Sequence, residues 1–336
     1  MFNQLFELFA TFPYFLQIIV FIVCLILGFI ALVKGADWFV SSASGLAKKM
    51  GVSALLIGLT IVSIGTSAPE TSVSISSAIS GSCDLSIGNI VGSNIFNLLV
   101  VLGFSAVFMP VIVDKMVVKR DLPIMLGSGV LITIFALFFG GDQSYMILQI
   151  EGLILVAFLV GYLILTIKTS KRENKLKIPD EPKINTNVLK SIFFLIIGLG
   201  LIILGGEFVT YGAKNIALQL GASEALVGLT IVAIGTSLPE LVTSIVAAKK
   251  GENEIALGNV IGSNIFNILF VIGSVSIIRP LLVSNLIITD LIIMIALFAG
   301  IFIYTLFRKT ISKKVGIVML LTYGVYLTYI ILRNFL

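Results

Sequence analysis

The 336-residue chain is 58% hydrophobic and only 12% charged, about half the charge of a soluble domain, so lipid must be its main solvent. Its formal net charge of +5 is no nucleic-acid signal, because Lys and Arg are spread over short stretches between apolar runs. The lack of His removes imidazole zinc sites, Ser-His-Asp hydrolysis and imidazole proton relays, and Cys24 and Cys83 alone make neither a disulfide framework nor a cysteine-rich metal site.

Residues 1–13 carry Glu7 and no basic start, unlike a cleaved signal peptide, and read as an interfacial lead-in. Apolar stretches long enough to cross a bilayer, about 20 residues, follow at 14–41, 52–80, 86–109, 122–140 and 145–167. The polar run at 168–189 reads as a solvated linker, too short to fold alone. Five more stretches follow at 190–212, 224–248, 255–278, 285–307 and 315–333. The expected fold is therefore an all-α polytopic membrane protein of ten transmembrane helices, with a first repeat at 1–167 and a second at 190–336. Placing the linker in the cytoplasm puts 18 of the 22 Lys and Arg on that side, as the positive-inside rule requires. Both termini then lie outside a cell membrane.

The halves repeat one another. Residues 58–103 and 228–273 align at a constant offset of 170 with 26 of 46 positions identical, including Thr, Ser, Pro, Glu and Asn. Outside that block, Gly35 and Asp37 match Gly205 and Glu207 more weakly; the two acids lie near span ends and read as interfacial. An odd number of spans per repeat inverts the second copy, an architecture typical of secondary transporters with a site at the repeat interface. Duplicated channels and scaffolds are the alternatives.

Glu70 and Glu240 fall mid-span, where a carboxylate costs at least a few kcal/mol. No Lys or Arg lies within 52–80, 86–109, 224–248 or 255–277, so the protein brings no counter-charge near these carboxylates. Either the acids are protonated or a bound cation neutralises them. Ser63, Thr66, Ser67 and Glu70 share one helix face, and Thr236, Ser237 and Glu240 repeat the pattern with Ala233 in place of Ser63. Pro69 and Pro239, each four residues after a glycine, should break their helices and free carbonyls, which is tolerated at membrane depth only around a cavity or site. Ser93, Asn94 and Asn97 with Ser263, Asn264 and Asn267 add hydroxyls and amides; Asn94 and Asn264 read equally well as structural amides facing away. Oxygen donors without sulfur or imidazole suit hard cations, Ca²⁺ above all, since Mg²⁺ sheds its waters reluctantly. Gly88, Gly92, Gly103, Gly258, Gly262 and Gly273 read as close-packing positions.

The motifs GTSAPE with GNIVGSNIFN, and GTSLPE with GNVIGSNIFN, resemble the two α-repeats of the calcium/cation antiporter superfamily. With KGADWFV, GGEFVTYGAK and the basic linker, the chain is most similar to the small prokaryotic sodium/calcium exchangers. The resemblance implies sodium-driven calcium antiport, usually three Na⁺ for each Ca²⁺, with no cofactor beyond the transported ions. It implies Ca²⁺ ligation by Glu70, Glu240, Thr66 and Thr236. It implies Na⁺ sites built from those four with Ser67, Ser237, Ser93, Ser263, Asn97 and Asn267, joined by backbone carbonyls at Ser63 and Ala233. The first and sixth helices would slide against the remaining bundle. Relatives often carry Asp where this chain has Asn267, which argues against potassium co-transport.

The expected activity is competitive exchange of Na⁺ and Ca²⁺ by alternating access in a monomer. Coupling of Ca²⁺ to protons is the alternative on the same fold, and a gated cation channel is the alternative in another class. An intramembrane enzyme lacks the residues for its chemistry.

Overall fold

The computed structural model describes residues 13–138, 145–176, 188–221, 231 and 233–335. The apolar runs form long helices. These are α1 (Tyr14–Met50), a broken pair α2 (Ala54–Thr66) and α3 (Ala68–Ile79), α4 (Cys83–Phe108), α5 (Val117–Phe138), α6 (Gln149–Leu176) and α7 (Val188–Gln219). A second short pair, α8 (Ala233–Thr236) and α9 (Leu238–Lys249), precedes α10 (Asn253–Ile278), α11 (Asn285–Phe307) and α12 (Lys313–Phe335). Among the described residues, eight helices are long and apolar enough to cross a membrane, and the bent α2–α3 pair makes a ninth candidate. The lead-in at 1–12 and the start of the expected span at 224–248 lie outside the described residues.

One expected boundary is corrected. The stretch at 145–167 does not begin as helix: Tyr145–Ile147 forms a strand, and the helix starts at Gln149. Helix extends into both ends of the expected linker at 168–189, because α6 runs on to Leu176 and α7 starts at Val188. Polar residues continue a helix once a long apolar segment has nucleated it. Asp37 and Glu207 lie within helices that run on to Met50 and Gln219.

Four short strands tie helix ends together. β1 (Val111–Ile112) pairs antiparallel with β4 (Thr310–Ile311), and β2 (Tyr145–Ile147) pairs with β3 (Leu281–Val283). These pairings satisfy backbone groups where the chain leaves one helix for the next.

Helices α4 and α10 are the most buried of the long helices, and α1, α7 and α12 are the least. The core joins apolar faces of both, including Ile87, Ile90, Ile95, Val260, Ile261 and Ile265. Helices α1 and α7 cross against each other with opposite chain direction. A Cβ on Gly28 would stand 2.8 Å from the Gly205 carbonyl oxygen, and one on Gly35 would stand 2.7 Å from that of Gly198. Only glycine allows that approach. The glycines expected to pack closely mostly do: Gly258 meets Leu55 and Gly273 meets Gly152, whereas Gly92 has no neighbour within 4 Å among the described residues.

Candidate functional site

The broken helices set the geometry. In the first half the helix breaks at Ser67 (φ −80°, ψ 11°), and α3 leaves at 46° to α2. In the second half the break falls at Ser237 (φ −93°, ψ 5°). Pro69 and Pro239 each stand in the first turn after the break, where a missing N–H costs nothing. The breaks place Glu70 and Glu240 in the first turns of α3 and α9, both fully buried. Helix N-termini favour negative side chains there.

Each carboxylate is held by a serine from the opposite half. Ser237 Oγ donates to Glu70 Oε1 at 2.9 Å, and Ser67 Oγ donates to Glu240 Oε1 at 2.9 Å. Ser93 Oγ also reaches Glu70 Oε1, at 3.1 Å, and lies 2.8 Å from Ser237 Oγ. Thr66 and Ser263 approach the Glu240 carboxylate. The sequence-predicted Ser67, Glu70, Ser93, Thr66, Ser237, Glu240 and Ser263 therefore converge on one buried cluster.

The remaining candidates are less alike between halves. Asn97 and Asn267 start π-helical turns, at Asn97–Val101 and Asn267–Ile272, within α4 and α10. Such turns re-aim a side chain and recur at functional sites. Asn267 Nδ2 donates to Asn94 Oδ1 at 3.1 Å, while neither amide atom of Asn97 has a partner among the described residues. Asn94 and Asn264 turn their Nδ2 groups toward Met294 and Met125, each with an Nδ2–sulfur distance of 3.7 Å, while Asn264 Oδ1 has no hydrogen-bond partner among the described residues. The Ser63 carbonyl accepts the Ser67 N–H at 3.0 Å and, more distantly, the Thr66 hydroxyl at 3.4 Å. Ser237 N–H turns instead to the Ile234 carbonyl at 3.1 Å, which leaves the Ala233 carbonyl out of that turn. Thr236 is buried at the end of α8.

Two asparagines were overlooked in the sequence. Asn259 Nδ2 reaches Ser244 Oγ at 2.9 Å and the Glu240 carbonyl at 3.4 Å, and its Oδ1 accepts from Thr66 Oγ1 at 3.0 Å. Asn89 repeats this with Ser74, the Glu70 carbonyl and Thr236. Their signal was present: Asn89 stands one helical turn before Ser93, and Ser93 one turn before Asn97, on a single face of α4.

Buried oxygens remain over. Glu70 Oε2, Glu240 Oε2, Ser263 Oγ, Asn97 Oδ1 and Asn267 Oδ1 have no hydrogen-bond partner among the described residues. No ion pair among those residues involves Glu70 or Glu240; the pairs are Arg120–Asp121, Lys250–Asp37 and Arg333–Asp290. A buried unsatisfied carboxylate oxygen is costly, and a set of them fits a hard cation that takes about six to eight oxygens.

Open space adjoins the broken helices. A cavity of about 320 Å³ is lined by Pro69, Gly206, Glu207, Thr210, Tyr211, Lys214, Gly235, Thr236 and Pro239. Glu207 thus faces the second broken helix. Its repeat counterpart Asp37 pairs with Lys250 at 2.7 Å.

The sequence profile described as sodium/calcium exchanger protein matches residues 20–168 and 190–332. The sodium/calcium exchanger MaX1 of Methanosarcina acetivorans is 35% identical over 90% of this chain and 96% of its own length. A putative antiporter, CaxA of Alkalimonas amylolytica, is 40% identical over 76% of this chain and 80% of its own. The solved structure of the sodium-calcium exchanger NCX_Mj soaked with 10 mM Na⁺ and zero Ca²⁺ has a TM-score of 0.80 at 33% identity, covering 93% of this chain and 99% of that one. The chain belongs to the sodium/calcium exchanger protein family.

Proposed function

We propose that this protein is a secondary active antiporter exchanging Na⁺ for Ca²⁺ across the cell membrane. The observation that carries the reading is the pair of fully buried carboxylates, each with a free oxygen and without a basic partner among the described residues. Two negative charges match one divalent ion. Glu70, Glu240, Thr66 and Thr236 would ligate Ca²⁺. Na⁺ would use the same four with Ser67, Ser93, Asn97, Ser237, Ser263 and Asn267, and with the carbonyls of Ser63 and Ala233. Because the sets overlap, one ion displaces the other, and two bare carboxylates oppose passage of the empty site through an apolar interior. That opposition enforces exchange.

The proposed architecture is ten spans in two inverted repeats, 1–167 and 190–336, joined by the cytoplasmic segment 168–189, with both termini outside. The constant 170-residue offset of the motifs and the repeated broken helices support it. Helices α1 and α7, thinly buried and packed on each other through glycines, are suited to slide together against the rest. Three Na⁺ per Ca²⁺ would move one net charge per cycle, worth about 2.3 kcal/mol per 100 mV, so an inside-negative cell would export calcium. Asn267 contributes no charge, which favours independence from potassium.

The test is radiolabelled Ca²⁺ flux in proteoliposomes with Na⁺, K⁺ and H⁺ gradients imposed one at a time. Flux should follow the Na⁺ gradient alone, and Glu70→Gln or Glu240→Gln should reduce it to background. Full activity in either variant, or flux driven by the proton gradient without Na⁺, would sink the reading.

A further inference from the structure

We infer that Asn259, and Asn89 at the repeat-related position, are positioning residues that aim the threonine hydroxyls of the site. The inference rests on the reading of Thr66 and Thr236 as cation ligands. A hydroxyl that ligates a cation must turn a lone pair toward it and send its proton to another acceptor. Thr66 is fully buried, so water cannot take that proton. Outside the Glu240 carboxylate that it approaches, its Oγ1 has two fixed acceptors, the Asn259 side-chain oxygen at 3.0 Å and the Ser63 carbonyl at 3.4 Å. The nearer one is the amide.

The amide cannot serve equally well in its other orientation. Asn259 Nδ2 faces two oxygens, Ser244 Oγ at 2.9 Å and the Glu240 carbonyl at 3.4 Å. Turning it over would set Nδ2 against the Thr66 donor and Oδ1 against the Glu240 carbonyl. One side chain on α10 therefore ties the end of α2 to the start of α9, so that Thr66 and Glu240 are oriented by a single group from outside the carboxylate cluster. Without it, the Thr66 proton would be left to the Glu240 carboxylate that Thr66 already approaches, and that contact would have to break before a cation could bind. Asn89 is built the same way on Ser74 at 3.1 Å and the Glu70 carbonyl at 3.4 Å, but its contact with Thr236 Oγ1 is longer, at 3.5 Å. The effect should therefore be larger at Asn259.

Removing an outer partner of a metal ligand commonly costs about 10-fold or more in affinity. Asn259→Ala should raise the Ca²⁺ concentration for half-maximal sodium-driven uptake about 10-fold, with the maximal rate changed by less than about 2-fold, and Asn89→Ala should raise it less. The deciding experiment is a double-mutant cycle with Thr66→Ala. If Asn259 acts mainly through Thr66, Asn259→Ala has a much smaller effect in the Thr66→Ala background, where only its longer contact with the Glu240 carbonyl is left to lose, than in the Thr66→Ser background, which keeps the hydroxyl. Melting temperatures in detergent separate misfolding from altered affinity. If Asn259→Ala does not fold, the same cycle is read at Asn89 and Thr236. Effects that multiply in the double mutant, or an unchanged half-saturation in Asn259→Ala, overturn the positioning role. An unchanged half-saturation in Thr66→Ala instead overturns Thr66 as a ligand, and the inference falls with it.

Discussion

The Lys250 end and the Glu207 end of the molecule carry repeat-related residues but are joined differently. At the first, Lys250 Nζ contacts the Asp37 carboxylate at 2.7 Å and Ser41 Oγ at 2.5 Å, and Ser44 Oγ donates to Glu252 Oε1 at 2.5 Å. The Leu55 N–H also donates to Glu254 Oε2 at 3.1 Å. At the second, the counterparts of Asp37 and Ser44 are Glu207 and Lys214, and both line the cavity beside α8 and α9. One end is latched by charge and the other is hollow. Repeat-related but chemically different stretches thus make two arrangements in one molecule, an asymmetry that the proposed alternating access would use.

What both ends share should be the part that does not move. Each has a buried ion pair at the foot of a helix that flanks the core. Arg120 Nε and Nη2 donate to the two Asp121 oxygens at 2.8 and 3.0 Å, and Tyr162 donates to Oδ1 at 3.0 Å. Arg333 Nη1 and Nη2 grip Asp290 at 2.8 and 2.6 Å. Removing one partner of a buried pair costs about 3–5 kcal/mol, because the other is left charged and unpaired. Asp290→Asn and Asp121→Asn should each lower the melting temperature in detergent strongly, by similar amounts, with or without Ca²⁺. A drop confined to one of them would break the likeness between the ends.

A smaller effect separates the two halves of the site. Asn267 is fixed to Asn94 at 3.1 Å, whereas both amide atoms of Asn97 lack partners among the described residues. Asn267→Ala would leave Asn94 Oδ1 unsatisfied in a buried position, a cost of about 1–3 kcal/mol. Asn97→Ala removes no such bond and should leave stability unchanged while weakening Na⁺-dependent uptake. Thermal melts alongside flux would resolve the difference; equal destabilisation by both substitutions would erase the asymmetry.

The sequence made much of this readable. Hydropathy located the long helices, and Pro69 and Pro239 announced the breaks, because a residue without an N–H in mid-span leaves few other outcomes. Glu70 and Glu240 stood out as charges without partners. What escaped were contacts set by the tertiary fold. Arg333 and Asp290 lie 43 residues apart, and nothing local signals their meeting. Strands of two or three residues such as Val111–Ile112 are too short to carry a period. Asn89 and Asn259 were in plain view within the motifs, but their partners Thr236 and Thr66 come from the opposite half.

The latch offers the smallest effect and the sharpest use of the comparison. The side chains of Lys250 and Asp37 are 28% and 50% exposed, so their pairing contributes no more than about 1 kcal/mol. That is too little to change the melting temperature appreciably, but it shifts a two-state ratio about 5-fold. Lys250→Ala should therefore leave stability intact and favour opening at the Lys250 end. In vesicles of uniform orientation, the Ca²⁺ needed for half-maximal exchange should fall when presented at that face and rise at the other. Opposite shifts at the two faces separate a change in the balance of open states from damage to the site, which would weaken both. If Lys250→Ala altered both faces in the same direction, the ion pair would be an ordinary surface contact and the difference between the ends would have to lie elsewhere.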